Sequence, residues 1–242
     1  MCAAIDVPEG CTLTISGEGS LKATGGVGAG IGASSMRKGS LGTIEINGGN
    51  IEAYGSGMAA GIGGGLEGGI GTIVINGGTV YAKGGYGNYP KDINHVYGGA
   101  GIGGGPFGCV DRIEINGGNV TACGGYVTNA GRRPGAAIGT GGGGAKPIGE
   151  GKYKYGDIVI NGGTVSATAY HNEVYAIGVA EKPSVDGTLV GSISISDQAV
   201  VNLNGGDYFP KIENPGLKNY TIQGTIADVR FIESAYPVTI SV

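Results

Sequence analysis

The chain has 242 residues, 56 of them Gly, no Trp, and a net charge of −4 from 15 basic and 19 acidic side chains. That Gly content is about three times the average of roughly 7 % and argues against a helical bundle, while its irregular placement excludes collagen. With 40 % hydrophobic residues the chain is no solvated disordered polymer, and its acidic balance offers nucleic acid no electrostatic attraction.

Taken in chain order, residues 1–24 read as an N-terminal cap and a first coil. Met1–Asp6 has neither a basic stretch nor a long apolar core, so no signal peptide is expected there. No apolar run reaches the roughly 18 residues that suggest a membrane span. Leu13-Thr14-Ile15-Ser16-Gly17 is a degenerate forerunner of a block that then recurs: Ile44-Glu45-Ile46-Asn47-Gly48-Gly49-Asn50-Ile51-Glu52-Ala53. Copies begin at Ile73, Ile113 and Ile158, and a last degenerate one is Ile193-Ser194-Ile195. A second block alternates with the first. It reads Ala29-Gly30-Ile31-Gly32, returns from Ala60 and Ala100, and shortens to Ala137-Ile138-Gly139 and Ala176-Ile177-Gly178.

Ile-x-Ile puts both isoleucines on one face, and Val80 and Ala82 alternate in the same way. Gly-Ile-Gly supplies one large inward residue between two of minimal bulk. Asn-Gly-Gly between the first two strands is a turn that tolerates positive φ. A hairpin at Asn-Gly is set aside, because isolated hairpins would bury little. Successive central isoleucines (Ile15, Ile46, Ile75, Ile115, Ile160, Ile195) stand 31, 29, 40, 45 and 35 residues apart, the pattern of constant walls with insertions at corners. The expected fold is all-β: a right-handed single-stranded parallel β-helix (β-solenoid) of about six coils with terminal caps. One domain spans 1–242, with regular coils over 25–205 and capping strands over 206–242. Asn47, Asn76, Asn116 and Asn161 are expected to stack as a ladder of buried amides.

Cys2, Cys11, Cys109 and Cys123 show no Cys-x-x-Cys and no nearby His, so no zinc site is expected. They are either free, partly buried thiols or include one disulfide, Cys109–Cys123, which would need an oxidising compartment. Gly99–Gly104 fits Gly-x-Gly-x-x-Gly, but no helical pattern follows and the segment copies the repeat. The Gly runs lack the Asp of calcium-binding nonapeptides. The pairs Thr43/Glu45, Thr72/Val74, Arg112/Glu114 and Asp157/Val159 break the flat Thr array that an ice-binding face needs. No cofactor and no metal are expected.

These Ala-Gly-Ile-Gly-Gly-Gly and Ile-x-Ile-Asn-Gly-Gly-x-Val-x-Ala repeats, over residues 13–205, resemble those of large secreted or wall-attached proteins of Gram-positive, often gut-dwelling, bacteria. The resemblance implies a secreted or cell-surface location and a carbohydrate-binding or adhesin-like role. The expected fold is similar to that of pectate lyases, some glycoside hydrolases and fructotransferases, and phage tailspikes. No catalytic signature of those enzymes is matched here, so no residue role carries over.

Function is expected in the insertions, since loops on a rigid scaffold carry it more often than the scaffold does. Those at 84–99, 124–135 and 168–175 leave the same corner of successive coils and should line one groove. They hold Tyr86, Tyr89, Tyr97, Tyr126, Tyr170 and Tyr175 as stacking faces, with Arg132 and Arg133 as polar contacts. The leading reading is a polysaccharide- or glycan-binding module without membrane insertion. The second is a glycan-active enzyme (glycosidase, transferase or lyase), with Asp92 and Glu173 as a carboxylate pair or His95 and His171 as acid and base. The third is a stalk or phage-type spike, for which a trimer is expected. A further insertion, 141–156, brings Lys146, Lys152, Tyr153, Lys154 and Tyr155 from a different corner.

Overall fold

A computed structural model describes residues 2–35, 42–69, 71–89, 92–127, 132–144, 146–170, 174–180, 188–196, 198–204, 212–213, 220–223, 225–227 and 238–241. The chain winds in triplets of short strands. The first is β1 (Ile5–Asp6), β2 (Thr12–Ile15) and β3 (Ser20–Thr24), and the second is β4 (Ile31–Gly32), β5 (Thr43–Ile46) and β6 (Asn50–Tyr54). The third is β7 (Ile62–Gly63), β8 (Thr72–Ile75) and β9 (Thr79–Lys83), followed by a hairpin of β10 (Tyr86–Tyr89) and β11 (Asp92–Gly98). The fourth is β12 (Ile102–Gly103), β13 (Arg112–Ile115) and β14 (Asn119–Cys123), with β15 (Arg132–Arg133) after it. The fifth is β16 (Ile138–Gly139), then β17 (Lys146–Gly149) turning back on β18 (Lys152–Ile160), and β19 (Gly163–Thr168). The sixth is β20 (Ile177–Gly178), β21 (Thr188–Ile195) and β22 (Ala199–Asn204).

Each strand of a triplet pairs in parallel with its counterpart one coil away, so three walls run along a right-handed β-helix. The register follows the repeat residue for residue. On the first wall Ile31 pairs with Ile62, Ile62 with Ile102, Ile102 with Ile138 and Ile138 with Ile177. On the second, Ile44 and Ile46 lie over Ile73 and Ile75, then Ile113 and Ile115, then Ile158 and Ile160. On the third, Val80 and Ala82 lie over Val120 and Ala122, then Val165 and Ala167. All of these side chains are buried, so the core is a stack of like on like. A one-residue slip would turn every Ile-x-Ile pair outward, and this fixes the register.

Residues 206–242 lack the repeat, yet their described parts continue the stack. Strands β23 (Ile212–Glu213), β24 (Tyr220–Gln223) and β25 (Thr225–Ala227) pair in parallel with β20, β21 and β22, and β26 (Val238–Ser241) pairs with β24. None of the described residues is helical, so among them no helix is long and apolar enough to cross a membrane. The segment Gly99–Gly104 accordingly runs into β12 and not into a helix.

One expectation changes. The amide ladder forms, with Asn76 Nδ2 donating to Asn47 Oδ1 at 2.7 Å, Asn116 to Asn76 at 2.8 Å and Asn161 to Asn116 at 2.8 Å. Its side chains are exposed, however, because the turn carries them off the end of the Ile-x-Ile strand and away from the core. Its tightness comes from Gly78, at φ +87°, where a Cβ would overlap backbone of the preceding turn at Gly48 and Gly49. Of the two readings of the cysteines, the free thiols hold and not the Cys109–Cys123 disulfide: all four cysteines are free. Cys109 stands before β13 at one corner and Cys123 ends β14 on the third wall, between Lys83 and Thr168 in register.

Candidate functional site

The three insertions do come together. β11 pairs in parallel with β15, Val96 with Arg132 and Tyr97 with Arg133, so the hairpin of one coil and the loop of the next share a small three-stranded sheet. The Tyr126 and Tyr170 rings meet edge to face, centroids 5.2 Å apart, which joins the second insertion to the third. The common corner expected from the coil register thus collects all three.

An open cleft of about 470 Å³ lies at this corner, within the roughly 300–1,000 Å³ of small-molecule sites. Its lining includes Tyr54, Ser56, Tyr81, Lys83, Tyr86 and Tyr126. Tyr81 and Lys83 alternate with inward Val80 and Ala82 on β9, so the pleat sends them outward. Tyr54 ends β6 by the same parity, opposite Lys83 in register and diagonal to Tyr81. The Tyr54 and Tyr81 rings stand 5.6 Å apart at 48°. Tyr86 and Tyr126 are 61 % and 45 % exposed, enough to present a ring face to a ligand.

Polar contacts hold the aromatic floor. The Tyr54 hydroxyl donates to Glu52 Oε2 at 3.2 Å, and Lys22 pairs with the same carboxylate at 3.4 Å while its ammonium sits 5.3 Å from the Tyr54 ring centre. Partial burial, then the bond to Glu52, pushes the Tyr54 hydroxyl above its ordinary range. Burial, then the neighbouring Cys123 thiol, raises Tyr81 strongly and takes Tyr170 up to about 12. Tyr81 and Tyr170 thus stay protonated at ordinary pH, linked through their shared neighbour Cys123.

The structure sorts the residues singled out from sequence. Tyr86, Tyr126 and Tyr170 belong to the cleft or touch a residue that lines it. Tyr97 does not offer its ring: it is 4 % exposed, packed with Met58, Leu66 and Phe107 in a small second core under the hairpin. Arg133 lies over Tyr97, with its guanidinium carbon 5.8 Å from the ring centre. Tyr175 is half-buried. The side chains of Tyr89, Asp92, His95 and Arg132 lie outside the described residues, although their backbone is in β10, β11 and β15; His171 and Glu173 lie outside them altogether. At the other insertion, Tyr155 is buried in the main core and Lys154 is bound to the Asp111 carboxylate. Among the described residues no three His, Cys, Asp or Glu side chains gather as metal ligands would.

Tyr54, Tyr81 and Lys83 were not singled out from sequence, because they belong to the walls and not to an insertion. The signal was present. Parity with Ala53 and Ala82 makes residues 52, 54, 81 and 83 outward-facing, and the coil register sets them beside the corner where the loops leave.

The beta helix repeat family model matches residues 13–35, 44–66, 113–142 and 158–178. Those stretches coincide with second, third and first wall strands and the corners between them. No curated protein and no solved structure matches the chain. Over those stretches the chain is similar to the beta helix repeat family, and its fold is a right-handed parallel β-helix.

Proposed function

We propose that this β-helix is a glycan-binding module of a secreted or surface-attached protein, with the saccharide lying in the tyrosine-lined cleft. The observation that carries the reading is the convergence of Tyr54, Tyr81, Tyr86 and Tyr126 on one open cleft. Sugar rings present C–H faces that pack on aromatic rings and hydroxyls that seek polar edges, and phenols supply both. A rigid wall holds two of the rings and two insertions bring the others, so little ordering is left for the moment of binding.

The test is a glycan array followed by calorimetry on each hit. Tyr86 and Tyr126 are exposed, so their replacement leaves the core intact. One sugar–aromatic contact contributes about 1 kcal/mol, or about fivefold in affinity. Tyr86→Ala and Tyr126→Ala are each expected to weaken binding several-fold, and the double variant to nearly abolish it, with an unchanged circular dichroism spectrum. Parental affinity in the double variant would place the site elsewhere.

A further inference from the structure

We infer that the cleft takes an acidic glycan, whose carboxylate or sulfate pairs with the Lys83 ammonium. The inference rests on the glycan reading of the cleft and adds the charge of the ligand. Lys83 ends β9 facing into the cleft, and its neighbours across the sheet are Tyr54 on one side and Cys123 on the other. Among the described residues no carboxylate lines the cleft, and none pairs with Lys83. The acid on the adjoining outward position, Glu52, is engaged by Lys22 and by the Tyr54 hydroxyl.

Four of the backbone N–H groups that line the cleft are already engaged. The N–H groups of Gly55, Ser56, Gly84 and Gly85 donate to Lys83, Gly28, Cys123 and Ala59 carbonyls at 2.8, 3.1, 2.9 and 2.9 Å. A charged donor to a ligand has to come from a side chain, and among the described residues the cation lining the cleft is Lys83. An ammonium has three donors and no acceptor. A neutral hydroxyl, itself donor and acceptor, uses it poorly; an anionic oxygen accepts from it and is neutralised by it. The flanking rings lower the local dielectric, so the pair is stronger there than on an open surface.

The test is an array of uronate and sulfated oligosaccharides, each beside its carboxyl-reduced or desulfated counterpart. It is followed by calorimetry on the parent chain, Lys83→Met, Lys83→Arg and Tyr86→Ala. An acidic member is expected to bind about tenfold or more tightly than its neutral counterpart, and more weakly as salt rises. Lys83→Met is expected to erase that preference while leaving the neutral sugar's affinity in place, and Lys83→Arg to keep it. Whether the uronates or the sulfates respond identifies the anionic group. Equal binding of acidic and neutral partners, or an unchanged preference in Lys83→Met, overturns the inference and leaves the glycan reading standing. Binding that Tyr86→Ala does not weaken, or no binding across the array, overturns both.

Discussion

Tyr81 and Tyr170 show how one residue's surroundings set its chemistry. Both lean on Cys123, and partial burial keeps both phenols protonated beyond the ordinary range. The neutral form is the one the folded chain favours. Its contribution to stability is therefore whole below the ordinary phenol value of 10.0 and is lost as pH rises toward about 12, where Tyr170 ionises in the fold. Urea unfolding midpoints are expected to stay level for this contribution from neutral pH to about 10 and to fall between about 10 and 12. Tyr81→Phe and Tyr170→Phe should each flatten that fall; an equally steep fall in both variants would mean that other groups drive it. None of this was legible in the sequence. Cys123 sits diagonal to Tyr81 only because residues 40 apart in the chain lie side by side in register.

At the scale of the element, a strand and the turn that follows it make unequal contributions. Ile115 closes β13 in the core at 0 % exposure, between Ile75 and Ile160. Asn116, the next residue, accepts from Asn161 and donates to Asn76, but it does so in water. Truncating the isoleucine leaves a cavity between unyielding neighbours, whereas water replaces much of what the amide loses. Ile115→Ala is expected to cost about 2–5 kcal/mol, and Asn116→Ala about 1 kcal/mol. Urea denaturation of both variants checks the order; an Asn116→Ala cost equal to that of Ile115→Ala would mean that the ladder, and not the core, holds the coils in register. The strand assignments were readable because a period of two with branched apolar residues has one sensible orientation in a sheet. The exposure of the ladder was not readable, since Asn-Gly-Gly specifies a tight turn without saying which way its first side chain leaves the coil.

Over the whole molecule the coils are not equivalent. Four inward residues of the first coil, Ile5, Leu13, Ile15 and Leu21, are only partly buried, while their counterparts in the middle coils are fully enclosed. A linear stack gains stability from neighbours on both sides, and an end coil has one. Amide hydrogen exchange is therefore expected to be slowest in β8, β9, β13 and β14 and fastest in β1–β3. Uniform protection from the first coil to the middle would show that the stack opens as a single unit.

The repeat by itself determined the architecture: three walls, inward isoleucines and valines, and insertions at shared corners. Each copy states the same geometry, and identical positions can satisfy one another only by stacking. It also determined that the three insertions meet, because their exits share a corner. Which rings face the ligand was decided only by the tertiary structure. Tyr97 turned inward because Met58, Leu66 and Phe107 left apolar surface under the hairpin for it to cover. Tyr54 and Tyr81 stayed outward because the core side of their strands was already occupied by Ala53, Val80 and Ala82. A tyrosine fits either role, with an apolar body and a polar tip, so its type does not decide between them; the space left by residues distant in the chain does.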